Sequence, residues 1–492
     1  MKNLSVKEKL LFEKSVSGSG AFAEEPSKLN GDKLGKRIPA SYLRKEDIGL
    51  PEISERDLVQ HYTHLAHRTF SVDANFYPLG SCTMKYNPKI NEDIASMEGF
   101  ACLHPHQSTE DIQGALKVLY HLERKLSFIC GMDHFSLQPA AGAHGEQTAL
   151  MIAKHYFQKR GEKRNKIVLP DSSHGTNPAS AALCGFDVVT IASTKDGEVD
   201  LEMLAKECDE NIAVFMLTNP NTLGLFERQI LKICDVVHRT GGLTYCDGAN
   251  LNALMGISRP GDMGFDMMHV NTHKTLSTPH GGGGPGAGPV GVKSHLAEFL
   301  PVPRVVQEWE KHQTWYRWSF DFPNSIGSVK TFWGNFGILL RAAVYIDSLG
   351  LKGLQNCSET AILNANYLRK KLEDTFTIPH NRPCMHEFVM TPDKEKSPGK
   401  TMDIAKRLLD FGIHAPTVYF PLIVKDAIMI EPTETESKQT MDEFVDRLKD
   451  IAKEARTNPE LLEQAPTKTY RSRMDEVQAA RNPVLQWIPN RI

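Results

Sequence analysis

The 492-residue sequence contains no apolar run approaching the roughly 18–20 residues needed to cross a bilayer. Its opening, MKNLSVKEKLLFEKS, interleaves charge with leucine where a secretory leader would carry an apolar core. Both absences argue against a membrane protein and predict a cytoplasmic one. Surplus charge is missing too: 57 basic against 60 acidic side chains leave a formal net charge of −3, a balance that offers no field for nucleic acid or an anionic membrane. Nine cysteines fall at positions 82, 102, 130, 184, 208, 234, 246, 357 and 384. An odd number without any CxxC spacing is neither a disulfide framework nor a zinc ribbon, so these thiols read as reduced and mostly buried. Internal repeats and low-complexity segments are likewise absent.

The chain is long enough for more than one hydrophobic core. Residues 1–95 are rich in charge, proline and short apolar clusters, and read as an extended arm or loop-rich region ending in FYPLGSCTMKYNPKI. From about Met97 the pattern changes. Strand-like runs recur at 135–138, 166–170, 186–191, 213–217, 243–246, 267–270 and 288–292, separated by segments of helical length such as GEQTALMIAKHYFQKRG and ERQILKICDVVHRTGG. The second of these closes on the double glycine expected at a helix end. Alternation of this kind predicts an α/β fold with a mostly parallel sheet covered by helices on both faces, in a large domain over 96–330. After it, FGILLRAAVYIDSLGLKGLQ and a mixed α/β segment predict a smaller domain with a polar tail over 331–492.

In open parallel sheets ligands collect at the carboxyl ends of the strands, so the residues just past each run carry the functional signal. After FSLQ comes PAAGAHGE, where Ala141, Gly142 and Ala143 precede a helix whose free amides suit an anion. After KIVLP come Asp171 and His174, and after AVFML comes Asn219 in a turn-forming TNPNTLGLFE. Asp247 comes after LTYC, a place where a carboxylate needs a positive partner. Lys274 comes after MMHV, between His273 and Thr275, and is placed to act as a nucleophile toward a carbonyl. Taken singly, each has an ordinary structural explanation. Taken together, an anion seat, a histidine, a carboxylate and an amine at successive strand ends are what a pyridoxal phosphate site requires. The glycines of 281–288 would let backbone approach closely.

These residues carry a resemblance. NTHK is similar to the Schiff-base lysine motif of fold-type I pyridoxal phosphate enzymes, and DSSH with DGA resembles the histidine and aspartate-x-alanine of their decarboxylase branch. The longer strings FYPLGSCTMKYNPKI, LPDSSHGTNPASA, TNPNTLGLFE, DGANLNA, NTHKTLSTPHGGGGPGAGPVGV, HAPTVYFPLIV and MIEPTETES, spread over about residues 76–437, resemble the P-protein family of the glycine cleavage system, the decarboxylating glycine dehydrogenases. The length resembles that of the cofactor-bearing subunit 2 in forms split into two chains. One departure is QPAAGAHGE, where single-chain relatives have QPNSGAQGE; a phosphate held by backbone amides tolerates that change.

The resemblance implies a fold-type I fold and a pyridoxal 5'-phosphate held covalently by Lys274. Asp247 would sit at the ring nitrogen, and His174 and Ala249 on the two ring faces. Gly142, Ala143 and Thr272 would contact the phosphate, with Asn219 as a further cofactor contact. It also implies decarboxylation of glycine with release of CO2 and transfer of the aminomethyl group to the lipoyl arm of H-protein, in an α2β2 heterotetramer with a subunit 1. Other readings are a different fold-type I decarboxylase or aminotransferase, or a non-catalytic assembly subunit, the latter disfavoured by the intact Lys274, Asp247 and His174. Cys82 reads as structural. A metal reading of CLHPHQ (Cys102, His104, His106) fits no closed zinc site, so no metal is expected.

Overall fold

The computed structural model describes residues 8–19, 38–46, 48–281, 284–310 and 312–486. The seven strand-like runs become β1 (His134–Ser136), β2 (Lys166–Pro170), β3 (Asp187–Ile191), β4 (Ile212–Thr218), β5 (Leu243–Asp247), β6 (Met267–His269) and β7 (Val290–Val292). They form one sheet in the order β1-β7-β6-β5-β4-β2-β3. β2 to β6 run parallel, and β7 is antiparallel to both of its neighbours. Every residue of the central strand β4 is buried, which is why it reads as a continuous apolar run and not as an alternation. Its side chains still alternate between faces: Phe215 and Leu217 enter one core and Val214 and Met216 the other.

The first of those cores includes the apolar faces of helices Gln113–Cys130 and Ile230–Arg239. The second is closed by helix Gly142–Lys159 through Ala149, Leu150, Ile152, Ala153 and Phe157. At about 1.5–3 kcal/mol for each large apolar side chain fully buried, these two layers dominate the stabilisation of the sheet. The expected double-glycine stop is present after Arg239, where Gly241 takes φ +79, a left-handed conformation cheap only for glycine.

A second, antiparallel sheet of order β10-β12-β11 joins β10 (Phe388–Met390), β11 (Thr417–Val418) and β12 (Ile428–Ile430). Its core, around Phe376, Phe388, Ile430 and Phe444, is shared with helix Lys438–Thr457. Helix Phe336–Leu372 contributes to both cores. Ile338, Leu339 and Ala342 pack on the first, Ala365, Leu368 and Leu372 on the other, and the helical dihedrals break at Gly350 (φ 60, ψ −178). Sequence periodicity left unrecognised the hairpin of β8 (Arg304–Glu310) and β9 (Gln313–Ser319), whose mixed, half-exposed residues look like loop.

Compactness divides the chain into Met1–Ser71 with Pro466–Ile492, and Val72–Ala465. The first unit is not simply an extended arm. It holds helix Glu55–Ala66, capped by the Ser54 side chain accepting from the Asp57 amide, and Glu8 pairs with His61 and His64. We keep the divisions at 95/96 and 330/331 as a proposal for the lobes around the two sheets.

Candidate functional site

The carboxyl ends of β2, β4, β5 and β6 open on a cavity of about 240 Å³. Gly142, Ala143, His174, Asp247, Ala249 and Lys274 all line it, together with Ser81, Glu146, Thr218, Asn271 and His273. Two expected contacts lie behind the wall. Thr272 is fully buried, donating to the Ala287 carbonyl at 3.1 Å and accepting from Thr278 at 3.2 Å. Asn219 accepts from the Glu227 amide at 3.0 Å and so shapes the turn after β4. Asp171 turns away, accepting from the Ser193 amide and hydroxyl.

Asp247 ends β5 with 2 % of its surface exposed. Burial pushes its carboxyl upward, but His269, the Asn177 amide, the Ala249 backbone N–H and Lys274 outweigh that and hold it below the ordinary range. It is therefore a buried anion, which is what a protonated ring nitrogen needs opposite it. Sequence reasoning missed the groups that make this possible. His269 Nε2 lies 3.6 Å from Asp247 Oδ1, and its Nδ1 is hydrogen-bonded to the buried Tyr245 hydroxyl. Asn177 Nδ2 donates to both Asp247 Oδ2 and Glu146 Oε2 at 3.0 Å. The price of two neighbouring carboxylates falls on Glu146, whose pKa burial and the Asp247 charge drive up.

His174 and His273 are both kept neutral, chiefly by desolvation, which pulls His273 down to about 3. A neutral imidazole is the form that packs on an aromatic ring without a charge to solvate. His174 is held by the Thr176 amide, 3.2 Å from its Nδ1, and its ring meets Phe420 edge-on at 5.6 Å.

The anion end is set by close packing. Ala141 is extended, and helix Gly142–Lys159 starts directly after it, leaving its first amides free for a ligand. A Cβ on Gly142 would stand 2.0 Å from Asn271 Oδ1, and one on Gly288 would stand 2.0 Å from the Ala141 carbonyl. The described part of the glycine run thus lets β7 close on the seat; Gly282 and Gly283 lie outside the described residues. Asn271 Oδ1 and Thr218 Oγ1 are buried at this wall without a hydrogen-bond partner. Free helix amides, unpartnered polar atoms, an anionic Asp247 and an amine on Lys274 fit the phosphate, ring and aldehyde of pyridoxal phosphate.

Elsewhere, a larger cavity of about 440 Å³ is walled by Leu103, Ile112, Trp318, Phe332 and Trp333 and offers no comparable acid–base pair. His104 and His106 pack on Phe332, and Cys102 is exposed. Burial pushes the Cys82 thiol up and only Lys274 opposes this, so it stays protonated. All nine cysteines are free, five of them buried. No helix among the described residues is long and apolar enough to cross a membrane.

Comparison with known proteins places this geometry in context. Residues 28–313 match the family model described as glycine cleavage system P-protein, and residues 357–468 match that of the glycine dehydrogenase C-terminal domain. A probable glycine dehydrogenase (decarboxylating) subunit 2 from Caldanaerobacter subterraneus subsp. tengcongensis is 56% identical over 480 residues, 97% of this chain and 98% of that one. Its counterpart from Listeria innocua is 53% identical over 487 residues, covering 99% of each. Among solved structures, a glycine decarboxylase (P-protein) in inhibitor-bound form superposes with TM-score 0.73 at 19% identity, covering 86% of this chain and 95% of that one. An alanine–glyoxylate aminotransferase from Nostoc does so at 0.56 and 14% identity, covering 77% and 95%. The fold is that of fold-type I pyridoxal phosphate enzymes.

Proposed function

Because the chain belongs to the glycine cleavage system P-protein family, we propose that it is the cofactor-bearing subunit of a decarboxylating glycine dehydrogenase. It removes CO2 from glycine and passes the aminomethyl group to the lipoyl arm of H-protein. The observation that supports this best is the convergence of Lys274, Asp247 and His174 on one small cavity at the strand ends.

Pyridoxal phosphate, when bound, supplies the electron sink for the pair left behind by the departing carboxylate. The chain's own residues do the rest. Lys274 presents its amine to the aldehyde. Asp247, held anionic by His269 and Asn177, keeps a proton on the ring nitrogen and so keeps the sink deep. His174 and Ala249 would pack the two faces of the ring and so orient it toward Lys274. The amides of Gly142 and Ala143 would receive the phosphate, and Thr272, bonded to the Ala287 carbonyl, would hold the glycine-rich strand beside them. Asn219 acts one layer out, by shaping the turn after β4.

The partners in this reading are a subunit 1, in an α2β2 heterotetramer, and lipoylated H-protein, all in the cytoplasm. The experiment measures CO2 released from carboxyl-labelled glycine by the pyridoxal phosphate-loaded chain in three mixtures: alone, with subunit 1, and with subunit 1 plus lipoylated H-protein. Release dependent on the complete mixture is the expected result. Release from the chain alone, indifferent to the carrier, would mean a different amino-acid decarboxylase. No release from any mixture would refute the glycine assignment.

A further inference from the structure

Beyond the cofactor cavity, β10 and β12 bring together three residues that the decarboxylation chemistry does not use. Phe388 pairs with Ile430 across the antiparallel sheet, so the residue before β10 and the residue after β12, Glu387 and Glu431, meet at one end of it, with His386 beside them. All three are fully or almost fully buried, at 0 %, 1 % and 0 % exposure for Glu387, Glu431 and His386. His386 Nε2 lies 4.0 Å from Glu387 Oε1 and 3.8 Å from Glu431 Oε1, too far for hydrogen bonds. Both ring nitrogens of His386 and Oε1 of Glu387 have no hydrogen-bond partner. The three donor atoms lie within 4.8 Å of one another.

The other oxygens are held in place from outside. Glu387 Oε2 accepts the Ser81 amide at 2.7 Å, Glu431 Oε2 accepts the Thr83 amide at 2.9 Å, and Glu431 Oε1 accepts the Thr83 hydroxyl at 2.5 Å. Ser81 and Thr83 deliver those groups from left-handed backbone, φ 65 and 48, a strained conformation for residues with a Cβ. One nitrogen and two carboxylate oxygens thus lie within 4.8 Å of one another, and both carboxylates are anchored by the Ser81–Thr83 turn.

We propose that His386 Nε2, Glu387 Oε1 and Glu431 Oε1 hold one first-row divalent cation, of the class of Zn²⁺ or Mn²⁺, which ties the Ser81–Thr83 turn to the small sheet. The charge argument favours an ion of this valence. Two carboxylates buried without a matching cation are costly. Lys85, the nearby buried lysine of the same segment, is already paired with Glu434 at 2.7 Å, and Lys274, whose charge also reaches both glutamates, is the amine offered to the cofactor aldehyde. Imidazole with carboxylate oxygens suits Zn²⁺ or Mn²⁺ better than Mg²⁺ or Ca²⁺. Bonds of about 2.1 Å at tetrahedral angles separate donors by about 3.4 Å, so the 3.8 and 4.0 Å pairs, and the third pair within 4.8 Å, close on the ion by carboxylate rotation. Because Ser81 also lines the cofactor cavity, the ion would fix part of that wall.

The test uses the full chain loaded with pyridoxal phosphate. After stripping with EDTA it is equilibrated with Zn²⁺ or Mn²⁺ and desalted, and metal per chain is read by plasma mass spectrometry. The expected result is one retained ion per chain, lost in Glu387→Gln and Glu431→Gln with unchanged circular dichroism. Thr83→Ala, which removes only the hydroxyl that orients Glu431, should weaken retention by about 10–100-fold. Should the glutamine variants not fold, Co²⁺ in the wild type decides: visible bands of a nitrogen- and oxygen-ligated ion support the site. A spectrum like aqueous Co²⁺, no retained ion, or an ion that survives both substitutions overturns it.

Discussion

Gly142→Ala tests whether the anion seat depends on close approach. The new Cβ would stand 2.0 Å from Asn271 Oδ1 and 2.8 Å from its Cγ, so Asn271 or the start of helix Gly142–Lys159 must shift by more than about 1 Å to reach ordinary contact. Two effects on stability oppose each other. Alanine is favoured over glycine within a helix by about 0.8–1 kcal/mol, and overpacking costs about 1–3 kcal/mol. The net change is a loss of no more than about 2 kcal/mol, which a chain of this size tolerates. Cofactor binding has no such offset. Displacing one amide from a phosphate oxygen forfeits a charge-assisted hydrogen bond of about 1.5–3 kcal/mol, and at about 1.4 kcal/mol per tenfold the dissociation constant rises roughly 10- to 100-fold. Titrating the apo chain with pyridoxal phosphate by absorbance gives the affinity, and thermal melting of the same sample gives the fold. A folded variant whose affinity stays within about threefold of wild type would refute the argument that this glycine is required by the seat.

Lys274→Ala should leave the fold intact and abolish covalent attachment. After borohydride reduction, intact mass spectrometry should find the cofactor adduct on the wild type alone, and an adduct on the variant would remove Lys274 from its role. Lys85→Met removes a buried ammonium that donates to Asn252, the Thr275 carbonyl, Tyr345 and Glu434. Leaving Glu434 buried and unpaired should cost about 3–5 kcal/mol in denaturant unfolding, and a loss below about 1 kcal/mol would mean that water replaces the lysine. Glu123 has its carboxyl pushed up by burial to about 7, against an ordinary value of 4.5. A raised carboxyl contributes stability below 4.5 that is lost as pH rises through 7. Glu123→Gln should therefore gain melting temperature relative to wild type between those pH values, and a constant difference across that range would contradict the assignment.

The sheet was legible in the sequence because its strands are short runs, mostly apolar, bounded by turn residues, and burial on both faces of the central strands removes the ambiguity of phase. Strand ends then pointed to Lys274, Asp247 and His174. What supports those residues was not legible. His269 lies inside MMHV and reads as part of an apolar strand, although it faces Asp247. Glu146 and Asn177 sit near the starts of two different helices, and only the fold brings them together. His386 and Glu431 are 45 positions apart in the sequence, a distance no metal-ligand spacing would have flagged, and an antiparallel pairing closes it. The β8–β9 hairpin escaped because its residues are mostly half-buried or exposed, so it shows neither the continuous apolar run of a buried strand nor a clean period-2 alternation.

The interruption at Gly350 has a mechanical consequence. One covalent rod carries side chains of both sheets, and the break lies between them, with Leu354 still held in the first core. From Gly350 to Leu372 the helix is about 33 Å long at 1.5 Å per residue. A swivel of only 5° at that single residue would sweep the far end through about 3 Å, comparable to the separation of hydrogen-bonded atoms. The torsion angles of this one glycine therefore set the angle between the two halves of the helix, with Leu354 anchoring the start of the second half in the first core. Any other residue there would resist the left-handed turn even though nothing stands within 4 Å of a new Cβ, so a lever of this length has its fulcrum set by backbone geometry rather than by packing.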